Sequence, residues 1–455
     1  MRRGAELTRR ETDANRANRR EGLDRNGKIV MRARRAASNM AASPITSDSS
    51  ALSNRDFRRY LGAGFLAILA IQIQSVAVGW QIYAIARSPM ALGYVGLFQF
   101  LPMMACTIPA GHLADRFDRR LILVISYLLA AIAAGCFLFL ALSRTAVVWP
   151  FYAVLALFGA ARAFAGPASQ AFVPLLVPQD QFPQAVAWNS STSQAAVIAG
   201  PAIGGAIYIL GPAVDYGVCL VLFVTIAIVI AGIQSRSARY EVEADTTIFE
   251  RVTAGIAYVM DKPLILGAFS LDLFAVLLGG ATALLPIYAR DILHVGPLGL
   301  GALRSAPAVG AAMLGLVLGR MALQRHAGLA MFACVAVFGI ATIVFGLSEN
   351  FVLSIAALFV LGASDMVSVY VRTTLTQLAT PDAMRGRVSA VNRLFVGASN
   401  ELGEFESGIT AAWFGTVPAV VIGGVGTLVI VAVWFRLFPS LRDVDRLSDV
   451  VPPVP

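Results

Sequence analysis

Eight ionisable side chains stand inside long apolar runs: Arg162, Asp272, Asp365, Arg372, Arg393, Glu401, Glu404 and Glu406. A charge withdrawn from water is costly, so each is a functional candidate by default. A carboxyl in such a place can alternate between a neutral, protonated form and a charged one, which is the chemistry a proton-coupled cycle needs. Asp272, Asp365 and Glu404 are the leading carriers. Glu401 and Glu404 share a helix face, whereas Glu406 projects elsewhere. Arg372 follows Asp365 by seven residues, about two helical turns, on one face. The plainer reading of each is a polar contact between packed helices. Gln72, Gln74, Gln81 and Gln99, with aromatics such as Trp80, offer hydrogen bonds to an amphipathic solute in a cavity.

These side chains need elements that hold them in lipid. The chain of 455 residues is 57% hydrophobic and 14% charged, where a soluble protein carries roughly a quarter charged residues. Uninterrupted apolar length gives twelve spans: 60–86, 90–110, 121–142, 147–172, 185–210, 212–233, 264–289, 297–320, 327–347, 350–376, 386–412 and 414–438. A helical span needs about 20 residues. The runs do not alternate, which argues against a transmembrane barrel. Loops joining odd spans to the next hold Arg87, Arg144 and Arg290. The even loops and the termini hold many more cations, among them Arg116, Arg119, Arg120, Arg236, Lys262, Arg320, Arg385 and Arg436. That bias places both termini in the cytoplasm. The gap 234–263 divides the spans six and six. Within it Ile248, Phe249, Val252, Ile256 and Val259 fall near one helical face, which predicts an amphipathic helix on the membrane surface.

The halves repeat. Pro178, Ala187, Asn189, Gly200 and Gly205 recur 203 residues later as Pro381, Ala390, Asn392, Gly403 and Gly408. Ile82-Tyr83-Ala84, followed by Leu92-Gly93, matches Ile287-Tyr288-Ala289, followed by Leu298-Gly299. Parallel repeats around a central cavity are a common transporter plan.

Other classes fall away. Cys106, Cys136, Cys219 and Cys334 each sit alone in apolar runs, and His112, His294 and His326 lie near span ends, so no metal site or disulfide framework is expected. No Walker loop or nucleophile constellation points to an enzyme, and no cofactor is implied. Residues 1–40 hold twelve Arg/Lys against five Asp/Glu. Without aromatic interleaving or a zinc pattern this reads as a disordered tail facing an anionic leaflet, not as a nucleic-acid binder. It lacks the short apolar core of a secretory signal.

Three motifs bring a family resemblance over roughly 57–438. The stretch GHLADRFDRR, with Gly111, Asp115, Arg116, Arg119 and Arg120, resembles the loop 2–3 signature of the major facilitator superfamily, Asp118 standing where Gly is usual. The resemblance implies a conformational latch. Asp115 faces the positive end of a helix in the other half, near the start of span 11, and the arginines pair with nearby acids. Gly200-Pro201-Ala202-Ile203-Gly204-Gly205 resembles the signature of proton-exchanging exporters. Arg162 with Gly166 resembles the Arg-x-x-x-Gly pattern, whose arginine is held to influence proton traffic. Residues 114–120, 161–167 and 285–290 are similar to the branch of enterobactin exporters, also called transmembrane secretion effectors.

The expected fold is an all-α membrane protein with twelve transmembrane helices in two pseudo-symmetric six-helix bundles, the major facilitator fold. The expected organisation is a basic tail at 1–53, bundles at 54–233 and 264–438, a linker with an amphipathic helix at 234–263, and a tail at 439–455. The resemblance implies secondary active transport across a bacterial inner membrane. The preferred direction is export of a small molecule, such as a siderophore or drug, in exchange for protons. Uptake or facilitated diffusion of a small solute, and a non-transporting receptor or scaffold, are the alternatives. The expected partners are the lipid bilayer, the solute and protons, the chain acting as a monomer.

Overall fold

A computed structural model describes residues 50–234, 248–321, 323, 325–447 and 450, without the side chains of residues 108, 115, 248–252 and 383. The basic tail over 1–49 and the polar linker over 235–247 lie outside it. The described residues hold helices and no strand. Among the described residues twelve main helices follow the predicted spans: α1 Arg55–Ala86, α2 Pro89–Arg116, α3 Arg119–Leu142, α4 Trp149–Leu176, α5 Phe182–Tyr208, α6 Pro212–Ala231, α7 Pro263–Leu278, α8 Gly296–Arg320, α9 Ala327–Leu347, α10 Phe351–Ala379, α11 Asp382–Phe414 and α12 Thr416–Leu437. α7 continues irregularly to Ile292. Ten of the twelve are long and apolar enough to cross a bilayer. The other two, α5 and α11, are repeat-related. α5 carries the polar run Asn189-Ser190-Ser191-Thr192-Ser193-Gln194, and α11 carries Arg385, Arg387, Arg393, Glu401 and Glu404. Helices this polar cannot face hydrocarbon on all sides, so they flank the interior.

Local chemistry fixes the ends. Asn54 caps α1 by accepting from Asp56 N at 2.9 Å, and Asn350 caps α10 by accepting from Val352 N at 2.9 Å. α2 runs through Arg116, so Gly111, Asp115 and Arg116 are on a helix end and the loop between α2 and α3 is two residues, Phe117 and Asp118. Nothing in GHLADR breaks a helix. Asp118 ends the turn by accepting the Arg120 N–H at 2.9 Å, which is what an acid offers in place of glycine.

The predicted span 264–289 is not one regular helix. It stops at Gly279-Gly280, resumes as a 3-10 turn at Ala281–Leu284 and a single α-turn at Leu285–Ile287, and ends in a π-turn at Tyr288–Ile292. The glycine pair and Pro286 interrupt the backbone ladder. Irregular backbone at this depth survives only when buried in protein, and Leu284, Leu285 and Tyr288 are fully buried.

Within the first six helices α2 packs on α4, α3 on α4 and α6, and α1 on α5 and α6. Within the last six α8 packs on α10, α9 on α10 and α12, and α7 on α11 and α12. The halves meet where α5 crosses α8 and α2 crosses α11, a pseudo-two-fold arrangement. A Cβ on Gly408 of α11 would stand 2.6 Å from Gly93 Cα of α2, and one on Gly205 of α5 would stand 3.1 Å from Gly301 Cα of α8. Both crossings lie toward the end where α1 gives way to α2, called the far end below. One apolar cluster there contains Ile82, Leu92, Tyr152, Leu285, Leu300 and Phe345, drawn from both halves. The clusters toward the opposite, arginine-rich end are each confined to one half. Apolar packing between the halves is therefore concentrated at the far end, while toward the basic end each half keeps its own core.

Two segments decorate the basic end. A helix at Ile248–Asp261 packs on α11, with Gly255 against the backbone of Arg387 and Tyr258 Oη donating to Ala379 O at 3.2 Å. The chain after α12 folds back, with Gly328 N donating to Val444 O at 3.0 Å and His326 N to Asp445 Oδ1 at 2.9 Å. That backbone donor, with the His326 and Arg325 side chains, holds the Asp445 carboxyl below the usual carboxylate range.

Candidate functional site: a charged cavity between the halves

The cavity between the halves is assembled from five of the long helices and the irregular segment after α7. α1 supplies Gln72, Gln74 and Ser75, α2 supplies Gln99, α4 supplies Arg162, α8 supplies Arg304 and α11 supplies Glu401 and Glu404. Leu92, Val95, Leu155, Phe158, Ala283 and Pro286 form its apolar walls. The space is about 890 Å3, counting its open mouth.

The sequence dictates this convergence. Glu401 and Glu404, one turn apart on α11, turn the same face inward. Glu404 lies against α2 because Gly96 leaves room: a Cβ there would stand 3.0 Å from Glu404 Oε2. Arg162 Nη1 donates to Gln99 Oε1 at 3.4 Å, so its guanidinium is held by a neutral amide. Both arginines act electrostatically on both glutamates. With all four ionised the set carries no net charge. Arg304 Nη1 and Gln74 Oε1 are buried with no hydrogen-bond partner among the described residues. A donor and an acceptor left unmet at one cavity mark where a polar solute gains most.

A second charged group lies deeper in the last six helices. Arg372 on α10 pairs with Asp272 on α7, and each side chain is only 5% exposed. Asp365, two turns before Arg372, feels the charges of both. The ion pair is Arg372 with Asp272, Asp365 acting on it through charge alone, and the three groups together move between neutral and singly negative when one acid gains or loses a proton. Broken as a pair, such a site is costly, because the remaining charge stays buried.

The other candidates are dispersed. Gln81 is buried away from the cavity, its Oε1 unpartnered among the described residues. Glu406 accepts from Thr410 Oγ1 at 2.7 Å. Arg393 donates to Gln170 Oε1 at 2.7 Å, a contact between α11 and α4. Of the latch residues, the Asp115 side chain lies outside the described part of the structure, Gly111 and Arg116 end α2, and Asp118 caps α3. Arg119 Nη1 donates to Ala171 O at 3.4 Å and Arg120 donates to Ala231 O, both acceptors within the first six helices. Gly200 and Gly204 face α1, where a Cβ on Gly204 would lie 2.9 Å from Ile73 Cα. Gly205 faces α8, and Pro201 lies between on α5. The glycines of the exporter-like motif thus allow two close helix approaches, one within its half and one between halves.

Two charged groups escaped the sequence reading. Arg304 stands inside the predicted span 297–320, and the rule that singled out Arg162 applies to it equally. Asp215, in the first turn of α6, is fully buried with neither carboxylate oxygen partnered among the described residues. It too stands inside a predicted span, 212–233, three residues from its start.

Comparisons with known proteins agree with this architecture. The sequence pattern of the transmembrane secretion effector family matches residues 46–452. Macrolide efflux protein A of Streptococcus pyogenes is 24% identical over 397 residues, covering 84% of this chain and 95% of its own length. Enterobactin exporter EntS of Citrobacter koseri is 24% identical over 407 residues, covering 88% and 94%. Among solved structures, a bacterial homologue of the human lysosomal transporter Spinster, in an inward-facing and unoccupied conformation, superposes with a TM-score of 0.67 at 13% identity. That match covers 85% of this chain and 98% of that one. The nucleoside transporter NupG gives a TM-score of 0.65 at 12% identity, covering 84% and 99%. Likenesses this remote in sequence speak for the fold alone. With the sequence pattern spanning all twelve helices, the chain belongs to the transmembrane secretion effector family of the major facilitator superfamily and is a membrane transporter.

Proposed function

We propose that this transporter exports a small amphipathic molecule across the bacterial inner membrane in exchange for protons. The observation that carries the reading is the cavity, where two arginines and two glutamates from both halves face one space closed toward the far end. Its apolar walls suit a solute with a hydrophobic body, and its polar groups suit one with hydrogen-bonding substituents. Both efflux relatives move solutes of that kind, so a macrolide-like drug and a siderophore are the candidate cargoes. The Asp272–Arg372–Asp365 group supplies the proton site, its charge changing by one as the solute site empties and fills. The arginine bias puts the basic end in the cytoplasm, together with both termini. The structure then corresponds to the inward-facing state. Asp115 with Arg116, Arg119 and Arg120 closes the basic end in the opposite state, where α2 approaches the start of α11.

Reconstituted full-length protein tests the reading with radiolabelled erythromycin and enterobactin. A gradient that acidifies the lumen of inside-out vesicles drives accumulation of one of them. The combined replacement Asp272→Asn, Asp365→Asn and Glu404→Gln abolishes that accumulation. Accumulation driven by the reverse gradient marks an importer, and gradient-driven flux surviving in the triple variant removes the proposed coupling.

A further inference from the structure

The far end is closed by more than apolar packing. Asp291, in the π-turn that ends the seventh span, receives a hydrogen bond from Tyr83 Oη and lies 3.6 Å from Arg87 Nη1. Tyr83 and Arg87 belong to the last turn and C-cap of α1, in the other half. The neighbouring Arg290 places its guanidinium carbon 5.8 Å from the centre of the Trp80 ring of α1, and Trp80 meets Tyr208 of α5 edge-on at 6.4 Å. Two successive residues of one half thus each grip α1 of the other.

The backbone on both sides is bent to make this contact. Arg87 adopts a left-handed conformation with φ 49°, unusual for a residue with a side chain, and it ends α1 so that its guanidinium reaches Asp291. The π-turn at Tyr288–Ile292 inserts an extra residue per turn, a feature that tends to mark functional sites. It sits only a few residues beyond Ala283 and Pro286, which line the cavity, and Pro286 packs on α1 at Gly79. The irregular segment from Gly279 to Ile292 therefore runs from the cavity wall to the grip on α1 without a rigid helix between them.

We infer that Asp291 is the fastener of the far-side gate, holding α1 through Arg87 and Tyr83 while the cavity faces the basic end, and that its release is required for the far end to open. The segment from Gly279 to Ile292 carries the cavity's state to that fastener. Arg87 and Asp291 are partly solvated, with side chains 57% and 38% exposed. The ion pair alone is accordingly weak, and the hydrogen bond that the Tyr83 hydroxyl donates to a carboxylate adds the larger part. A fastener of this modest strength can be undone in every cycle. The inference goes beyond the proposed cargo and its coupling, since opening of the far end can be measured with neither solute nor proton gradient.

The test is the distance between spin labels at two exposed far-end positions on opposite halves, Leu210→Cys and Val352→Cys. It uses full-length protein reconstituted in lipid, with Cys106, Cys136 and Cys334 replaced. The parent gives mainly the short distance of a closed far end. Asp291→Asn raises the ratio of open to closed about ten-fold, the effect of losing a charge-assisted hydrogen bond and its ion pair. Tyr83→Phe moves the ratio the same way. Exchange of the charges, Arg87→Asp with Asp291→Arg, restores the ion pair without the Tyr83 hydrogen bond, so the ratio falls below that of Asp291→Asn without reaching the parent's. An unchanged distance distribution in Asp291→Asn overturns the inference, as does a charge-exchanged protein that stays as open as the single variant.

Discussion

At the scale of single residues, the buried pair between Arg372 and Asp272 makes the sharpest demand. Removing one partner leaves a charge in a site with almost no water. Arg372→Leu is expected to cost about 3–5 kcal/mol of stability, whereas replacing both residues by apolar ones of similar size costs much less. Thermal unfolding of the purified protein in detergent checks the contrast, and equal losses in the single and double variants contradict it. The sequence marked each of these residues as unusual, because any charge inside an apolar run is visible by inspection. It could not show that Arg372 meets Asp272 across 100 residues of chain, nor that Asp365 feels the charges of that pair. Pairings between helices depend on their rotation and crossing, which one sequence does not encode in a readable pattern. Arg304 and Asp215 are different. Both stand inside predicted spans and were open to the same inspection.

Among the elements, the glycines at the crossings set how closely the halves can approach. Gly408 of α11 touches Gly93 of α2, and a Cβ there would overlap the facing backbone. Gly408→Val is therefore expected to oppose closure of the far end by about 1–3 kcal/mol, the usual cost of overpacking. The far-end spin-label distance should lengthen in this variant while the helices remain folded, and a distance equal to that of the parent contradicts the account. The repeat foreshadowed this pairing: Gly205 and Gly408 are related by the internal offset, and each makes the equivalent contact with the opposite half. The broken seventh span was only half legible. Gly279-Gly280 and Pro286 are visible helix breakers, but no residue pattern announces the π-turn, and apolar length alone read the segment as one continuous span. The basic signature between α2 and α3 shows the reverse case. Its residues are plain in the sequence, yet its local form, a helix end with Asp118 as cap, came from hydrogen bonding that spacing did not reveal.

For the whole molecule, hydropathy and the internal repeat carried most of the architecture, because the bilayer admits few solutions for a chain this apolar. What no sequence pattern could supply is which end of the molecule is closed, since the same residues serve both halves of a transport cycle. The structure has apolar contacts between the halves at the far end and separate cores toward the basic end, so it captures one arrangement of two. The central claim is that the cavity bearing Arg162, Arg304, Glu401 and Glu404 is reached from each side of the membrane in turn. Ser75 lines that cavity, and a cysteine placed there reports on it directly. In membranes containing the full-length Ser75→Cys protein with its other accessible cysteines replaced, a membrane-impermeant thiol reagent should react from the basic side in the parent. Added to the opposite face, it should react markedly faster once Asp291→Asn is also present. Reaction from one side only, whatever the state of Asp291, would contradict alternating access to this cavity and the account built on it.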